Sequence, residues 1–284
     1  FSFFTEEQLM GLQTPPRSTK IIAIMNNKGG PGKTSTATNL AVTLALSGKR
    51  VLAIDSDQQA NSTEVLANGK KYYSLFGPTI CDLYNDPRLD ISSVIIPAVA
   101  GDTEIPNLDL IPSDPSFEKI IEQSLTRSHR EKILSRHLQK VRNEYDYIII
   151  DCAPGLNIAT GNAIYIADHV LVPVDGGSFS LSGLEIMLDY MDEISEQDYA
   201  QFSVFRNNYN AANKKINSFI DKSLTEHPRI APRMLETRIR TDQAIVQSQV
   251  SCVPLYYYQK SAMALNDYRK LAREIEALFE KEVA

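Results

Sequence analysis

The sequence predicts an α/β protein with a doubly wound, largely parallel sheet flanked by helices. Three observations carry that prediction. Short apolar runs alternate with segments of helical periodicity along most of the chain, the pattern of βαβ units. Some runs, such as Ile148-Ile149-Ile150, are apolar throughout, as central strands buried on both faces are. A glycine-rich loop, Lys28-Gly29-Gly30-Pro31-Gly32-Lys33-Thr34-Ser35, separates the first run from the first helical segment, which is where open parallel sheets bind ligands. With 284 residues, 43% hydrophobic and 23% charged, the chain can bury one large core. It reads as an N-terminal extension, 1–19, and a single domain, 20–284.

The elements follow in order. In the extension, Thr5-Glu6-Glu7-Gln8-Leu9-Met10 can cap one short helix before Pro15-Pro16, but the segment is too short for a helix-turn-helix domain. The chain begins at Phe1 rather than methionine, which leaves room for a DNA-binding domain upstream. Ile21 to Met25 is the first strand. Thr36 to Leu46 carries Leu40, Ala41, Leu44 and Ala45 at helical spacing, and Gly48 ends that helix. Arg50 to Ile54 is a buried strand that delivers Asp55-Ser56-Asp57-Gln58-Gln59-Ala60-Asn61 at its C-terminal end. Ile80 to Tyr84 reads as a helix and Leu108 to Pro112 as a strand. Lys119 to Arg142 reads as a helical stretch interrupted by Ser and Thr. Tyr147 to Ile150 is a central strand ending at Asp151, and Val170 to Val174 is another. Ser180 to Leu184 opens a helix, Phe202 to Phe205 is a short strand, and Ala262 to Val283 is the final helix.

The loop chemistry follows from its residues. Glycine lacks a Cβ, so Gly29, Gly30 and Gly32 let the backbone turn several N–H groups toward phosphate oxygens. The following helix N-terminus adds partial positive charge. Lys33 is placed to reach β- and γ-phosphates, and the Thr34 hydroxyl to ligate Mg²⁺.

Other function classes find little support. Cys81, Cys152 and Cys252 are far apart and match no metal spacing; they suggest a reducing cytosol. No apolar run reaches the roughly 18 residues of a membrane span, and no signal pattern opens the chain. His129, His137, His169 and His227 are scattered and read as packing or surface residues.

Lys28-Gly29-Gly30-Pro31-Gly32-Lys33-Thr34-Ser35 resembles the deviant Walker A loop of the ParA/MinD ATPases. The resemblance covers roughly Lys20 to Glu276. It implies ATP and Mg²⁺ as cofactors and a face-to-face homodimer in which Lys28 crosses to the partner's ATP. Asp55 to Asn61 is similar to the family's D-x-D-P-Q-x-N segment, with Gln58 in place of proline. That similarity makes Asp57 the residue that polarises the attacking water and places Asp55 near Mg²⁺ through water. Asp151 resembles the Walker B carboxylate, expected to hold Mg²⁺ through Thr34 or water, and Ala153 to Gly155 resemble the second switch. Ser35 joins the loop in holding the nucleotide, and Asn207 or Asn208, after a late strand, is expected near adenine.

The C-terminal third is basic: from Arg206 to Arg273 there are twelve Lys or Arg against five Asp or Glu, in a chain of net charge −6. Arg229, Arg233, Arg238 and Arg240 surround what reads as a Pro-containing connection, and Arg238, Arg240, Lys260, Arg269, Lys270 and Arg273 are candidates for salt-sensitive, sequence-tolerant DNA binding. The final helix has an apolar stripe, Leu271, Ile275, Leu278 and Phe279, but ends in Glu274, Glu276, Glu280 and Glu282. Anionic lipid would repel that end, so core packing is the reading and no membrane partner is expected. The resemblance implies a ParA-like ATPase for plasmid or chromosome partition, cytoplasmic and nucleoid-associated in a bacterium or archaeon, which a ParB-type partner is expected to release from DNA by stimulating hydrolysis. The alternatives are ParA-like positioning of a protein cargo and a MinD-like membrane-cycling regulator.

Overall fold

The computed structural model describes residues 19–70, 77–177, 179–195 and 201–281; the short helix expected over Thr5–Met10 lies outside them. The strands are β1 (Lys20–Ile24), β2 (Val51–Ser56), β3 (Ile96–Ala100), β4 (Thr103–Ile111), β5 (Tyr147–Cys152), β6 (His169–Val174), β7 (Phe202–Tyr209) and β8 (Met234–Arg240). They form one sheet in the order β3-β4-β2-β5-β1-β6-β7-β8. Every pairing is parallel except β3 with β4, so the predicted doubly wound, largely parallel sheet is what the chain forms.

Side chains alternate between two helical layers because successive strand residues point to opposite faces. Ile21, Ala23 and Met25 pack into one core, with α3 (Ile80–Asn85), α4 (Phe117–Ser124), α5 (Ile133–Leu138), α6 (Ile158–Ile166) and α7 (Leu181–Ile194). Ile22 and Ile24 pack into the other, with α1 (Lys33–Leu46), α2 (Asn61–Leu66) and the C-terminal helices α9 (Gln243–Val250), α10 (Leu255–Tyr258) and α11 (Met263–Lys281). The helix α8 (Lys214–Thr225) follows β7. On α11, Leu271, Ile275 and Phe279 are buried in the second core, so the apolar stripe is internal packing.

Three sequence expectations need correction. The stretch from Lys119 to Arg142 is two short helices, parted where His129 adopts φ 56°, a left-handed conformation that a right-handed helix cannot contain. The antiparallel edge strand β3 was not expected; its Pro97 obscures the pattern, and proline is tolerated in strands mainly at such edges. The Arg-rich segment after Pro232 is not a connection but strand β8, with Leu235, Thr237 and Ile239 buried and Glu236, Arg238 and Arg240 exposed.

The exposed edge of β8 is closed by side chains of α11. Glu274 accepts from the backbone N–H groups of Glu236 (2.7 Å) and Thr237 (3.0 Å), and Asp267 accepts from that of Arg240 at 3.1 Å.

Candidate functional site

The loop between β1 and α1 takes its shape from two glycines and one asparagine. Gly30 and Gly32 hold φ of 96° and 87°, a region that L side chains avoid. Asn26 anchors the start of the loop: its Nδ2 donates to the Pro173 carbonyl at 2.9 Å and its Oδ1 accepts from Lys28 N–H at 3.0 Å. At the other end Thr36 N–H and Oγ1 both donate to the Gly32 carbonyl, at 3.0 and 2.7 Å. Asn207, expected near adenine, donates its Nδ2 to the Pro31 carbonyl at 2.7 Å and is buried. Asn208 is exposed with φ 49°.

The two loop lysines differ in setting. Lys33 is buried and donates to the Lys28 carbonyl at 2.8 Å. Burial draws its pKa down, while Asp151, Cys152 and Asp57 oppose the fall. Lys28 is exposed, and its stem runs beside the start of α7, with Cε 3.8 Å from the position a Cβ on Gly183 would take.

The carboxylates converge because β2 and β5 are neighbours in register, pairing Asp55 with Asp151. Asp55 is fully buried and holds the loop that follows it: Oδ1 accepts from Asp57 N–H at 3.1 Å, and Oδ2 from the backbone and hydroxyl of Thr63, both at 2.7 Å. Thr63 Oγ1 in turn accepts from Ser113 N–H at 2.8 Å, fixing this loop to the end of β4. Asp57 accepts from Gln59 N–H at 2.9 Å, and burial raises its pKa against the opposing effects of that bond and of Lys33. Ala60, the residue before α2, has φ 52°, a left-handed conformation costing about 1 kcal/mol for a residue with a Cβ.

Asp151 Oδ2 accepts from the Ser62 hydroxyl at 2.6 Å, while Oδ1 is buried with no hydrogen-bond partner among the described residues. Burial pushes both Asp55 and Asp151 above the usual carboxylate range; the Asp151 charge adds to the rise at Asp55, and the Ser62 and Thr34 hydroxyls oppose it at Asp151. A buried carboxylate oxygen without a donor beside a threonine hydroxyl fits a hard cation such as Mg²⁺, which prefers oxygen ligands. Among the described residues no group of three or more His, Cys, Asp or Glu forms a metal cage, so such an ion would share its ligation with phosphate oxygens. Cys152 is buried and its thiol pKa is raised by that burial, the condition of an inert packed thiol.

A cleft of about 470 Å³ lies over these groups. The phosphate-loop residues Gly29 to Ser35 except Pro31 line it together with Asp57, Gln59, Asn61, Glu64, Val65, Pro154 and Gln249. Gln249, on α9, donates its Nε2 to Ser35 Oγ at 2.5 Å, and Asn39 Oδ1 accepts from Leu255 N–H at 3.1 Å. Sequence reasoning missed Gln249, Ser62 and Thr63. The two hydroxyls follow directly on the Asp55 to Asn61 segment, whereas nothing in the sequence joins Gln249 to a loop 214 positions away.

A larger groove, about 1290 Å³, runs between β8 and α11 and is lined by Arg238, Arg240, Lys270 and Arg273, with Glu236, Asp267 and Glu274 among its acidic residues. Arg240 makes a two-pronged pair with Asp267 through Nε and Nη2, both at 2.9 Å. Arg238 pairs with Asp221 at 3.5 Å and stacks on Tyr209, 4.8 Å from the ring centre. Arg269 lines a neighbouring cleft, which Arg273 also lines, and Lys260 stands 5.5 Å from the Tyr256 ring centre. The basic candidates therefore span two adjoining surfaces.

A parallel sheet with a glycine-rich loop at the end of β1, and acidic residues at the ends of β2 and β5, defines a nucleotide-binding protein of the phosphate-loop class. A family model described as an AAA domain matches residues 19–204. The chain is 31% identical over 264 residues to the chromosome partitioning protein ParA of Caulobacter vibrioides, covering 90% of this chain and 93% of that one. The chain belongs to the ParA-type partition ATPase family. Solved structures agree on the fold: McdA of Cyanothece matches with a TM-score of 0.76 at 22% identity, over 90% of this chain and 98% of that one. Cobyrinic acid a,c-diamide synthase of Mycobacterium smegmatis, with an ATP analog and magnesium bound, matches with a TM-score of 0.73 at 21% identity, over 92% and 96%.

Proposed function

We propose that this chain is a DNA-carried partition switch: an Mg²⁺-dependent ATPase whose ATP-bound homodimer binds DNA without sequence preference. A ParB-type centromere-binding partner releases it by stimulating hydrolysis. The observation that carries the reading is the contrast between the loop lysines. Lys33 lies buried in its own cleft, whereas Lys28 faces outward and serves the nucleotide of a second copy.

The geometry supports the following roles. Gly29, Gly30, Gly32 and Ser35 cradle the phosphates, and Lys33 exchanges the Lys28 carbonyl for phosphate oxygens. Thr34 and Asp151 hold Mg²⁺, and Asp55 supports them by fixing the loop that carries Asp57. The ion supplies charge neutralisation at the transferred phosphoryl group. Asp57 orients the attacking water, and its raised pKa makes it a better proton acceptor than an ordinary aspartate. Asn207 shapes the loop from below, and Asn208 stands beside it for the base. Catalysis is positioning and charge stabilisation rather than covalent chemistry.

Arg238, Arg240, Lys260, Arg269, Lys270 and Arg273 present the surface that meets phosphates. The nucleoid of a bacterial or archaeal cytoplasm is then the track on which the dimer is carried. Binding to a non-specific duplex with ATP, with ADP and without nucleotide, over a salt series, tests this for the wild type and Arg269→Ala/Lys270→Ala/Arg273→Ala. The expected result is ATP-dependent binding whose log–log salt slope falls by about 0.9 for each phosphate the variant no longer neutralises. No binding under ATP, with dimerisation intact, moves the protein to the cargo-positioning reading.

A further inference from the structure

We propose that Ser62 is a positioning residue for the Mg²⁺ site: its hydroxyl fixes the Asp151 carboxylate so that Oδ1 is the oxygen left for the cation. The inference rests on the reading of the cleft as an Mg·ATP site and deepens it.

Ser62 Oγ donates to Asp151 Oδ2 at 2.6 Å, the short distance typical of a hydroxyl bonded to a carboxylate. Both residues are 2% exposed, so water does not substitute for either partner. Asp151 Oδ1 has no hydrogen-bond partner among the described residues, and an orphaned buried acceptor is costly unless a ligand satisfies it. The two oxygens of this carboxylate are thus unequal before any ligand arrives. Thr34 also favours the ionised carboxylate, but its oxygen is itself a candidate ligand. Lys33 is occupied with the Lys28 carbonyl. Ser62 is the neighbour whose bond to Asp151 has no other duty.

Neither Ser62 nor Asp151 lines the cleft itself, whereas Thr34 does; Ser62 is bonded to the Asp151 oxygen other than the unpartnered Oδ1, so it acts through that carboxylate and not on the nucleotide. Its place in the chain adds a coupling. It is the second residue of α2, directly after the loop that carries Asp57. A movement of that loop when nucleotide binds or is cleaved therefore reaches the Asp151 carboxylate through one hydroxyl.

Supporting hydrogen bonds of this kind typically change metal affinity tenfold or more when removed. The test measures binding of a fluorescent ATP analogue to the full chain across an Mg²⁺ series and in EDTA, for wild type, Ser62→Ala and Ser62→Thr, with circular dichroism melts to show that each variant is folded. Ser62→Ala is expected to match wild type in EDTA and to need about tenfold more Mg²⁺ for half of the metal-dependent gain, while Ser62→Thr stays within about twofold. An unchanged Mg²⁺ midpoint in Ser62→Ala, an equal loss with and without the metal, or a Thr variant as impaired as the Ala variant overturns the assignment. Wild-type protein that binds the analogue no better with Mg²⁺ than in EDTA overturns the Mg·ATP reading beneath it.

Discussion

Substituting Gly32 with alanine tests whether the loop is shaped by one buried side chain. A Cβ at Gly32 would lie 2.2 Å from Asn207 Nδ2, the atom that donates to the Pro31 carbonyl at 2.7 Å. The φ of 87° costs an alanine about 1 kcal/mol. Displacing Asn207 breaks a buried hydrogen bond, worth about 1–2 kcal/mol with an acceptor left unsatisfied. Reduced freedom of the unfolded chain returns about 0.5–1 kcal/mol. The net expectation is about 2 kcal/mol of destabilisation in urea unfolding, together with loss of nucleotide binding. The same change in an Asn207→Ala background meets no amide, so only the backbone strain remains and the cost falls below about 1 kcal/mol. A coupling of about 1–2 kcal/mol between the two sites is therefore expected from the double-mutant cycle. Additive effects would show that Asn207 does not set the loop geometry.

Further outcomes follow from other side chains. Asp57→Ala should retain ATP binding and lose roughly 10²–10³-fold in single-turnover hydrolysis; unchanged turnover removes its role at the water. Thr63→Val keeps the side-chain volume but removes a donor to Asp55 and an acceptor for Ser113 N–H, so equilibrium unfolding should show a loss of about 2–4 kcal/mol, and a neutral result would refute the clamp. His169 is buried, with Nε2 3.0 Å from Ser203 Oγ and Nδ1 without a hydrogen-bond partner among the described residues. Burial pulls its pKa down from 6.5 to about 4. Because the unfolded chain takes up this proton first, the contribution of the neutral ring is complete above pH 6.5 and lost as pH falls toward 4. By pH 5 that loss is about 2 kcal/mol. His169→Asn should reduce the stability difference between pH 7 and pH 5 by that amount; an equal difference in both proteins would refute the assignment.

The contiguous parts of the site were legible because one local rule governs each. The phosphate loop is read from glycine spacing, and the positions of Asp55, Asp57 and Asp151 from the C-terminal ends of buried strands, while the roles expected of them came from the family resemblance. What the sequence hid lies in hydrogen bonds that no periodicity encodes. Asn207 reaches back 176 positions to Pro31 and Gln249 reaches 214 to Ser35, so neither partner carries a mark of the other. The reading of β8 failed for a different reason. Its Leu235, Thr237 and Ile239 do alternate with exposed residues, but four arginines within 229–240 give the segment the look of a charged connection. Charge counts also misjudge the free surface: Arg206 is 2% exposed and bonded to Asp221 and Asn217, and Arg229 is held by Asp189 and Asp192. Part of the basic excess is therefore structural.

The carboxylates that α11 lays along β8 bear on how copies of this molecule can gather. An open strand is a template, and a second chain that finds free N–H groups there can lengthen the sheet without limit. Here Glu274 and Asp267 already hold three of those donors. An incoming strand would have to displace two anions while bringing only neutral carbonyls in exchange. That margin is therefore closed to strand addition, and lengthening the sheet from β8 would first require α11 to give up these contacts.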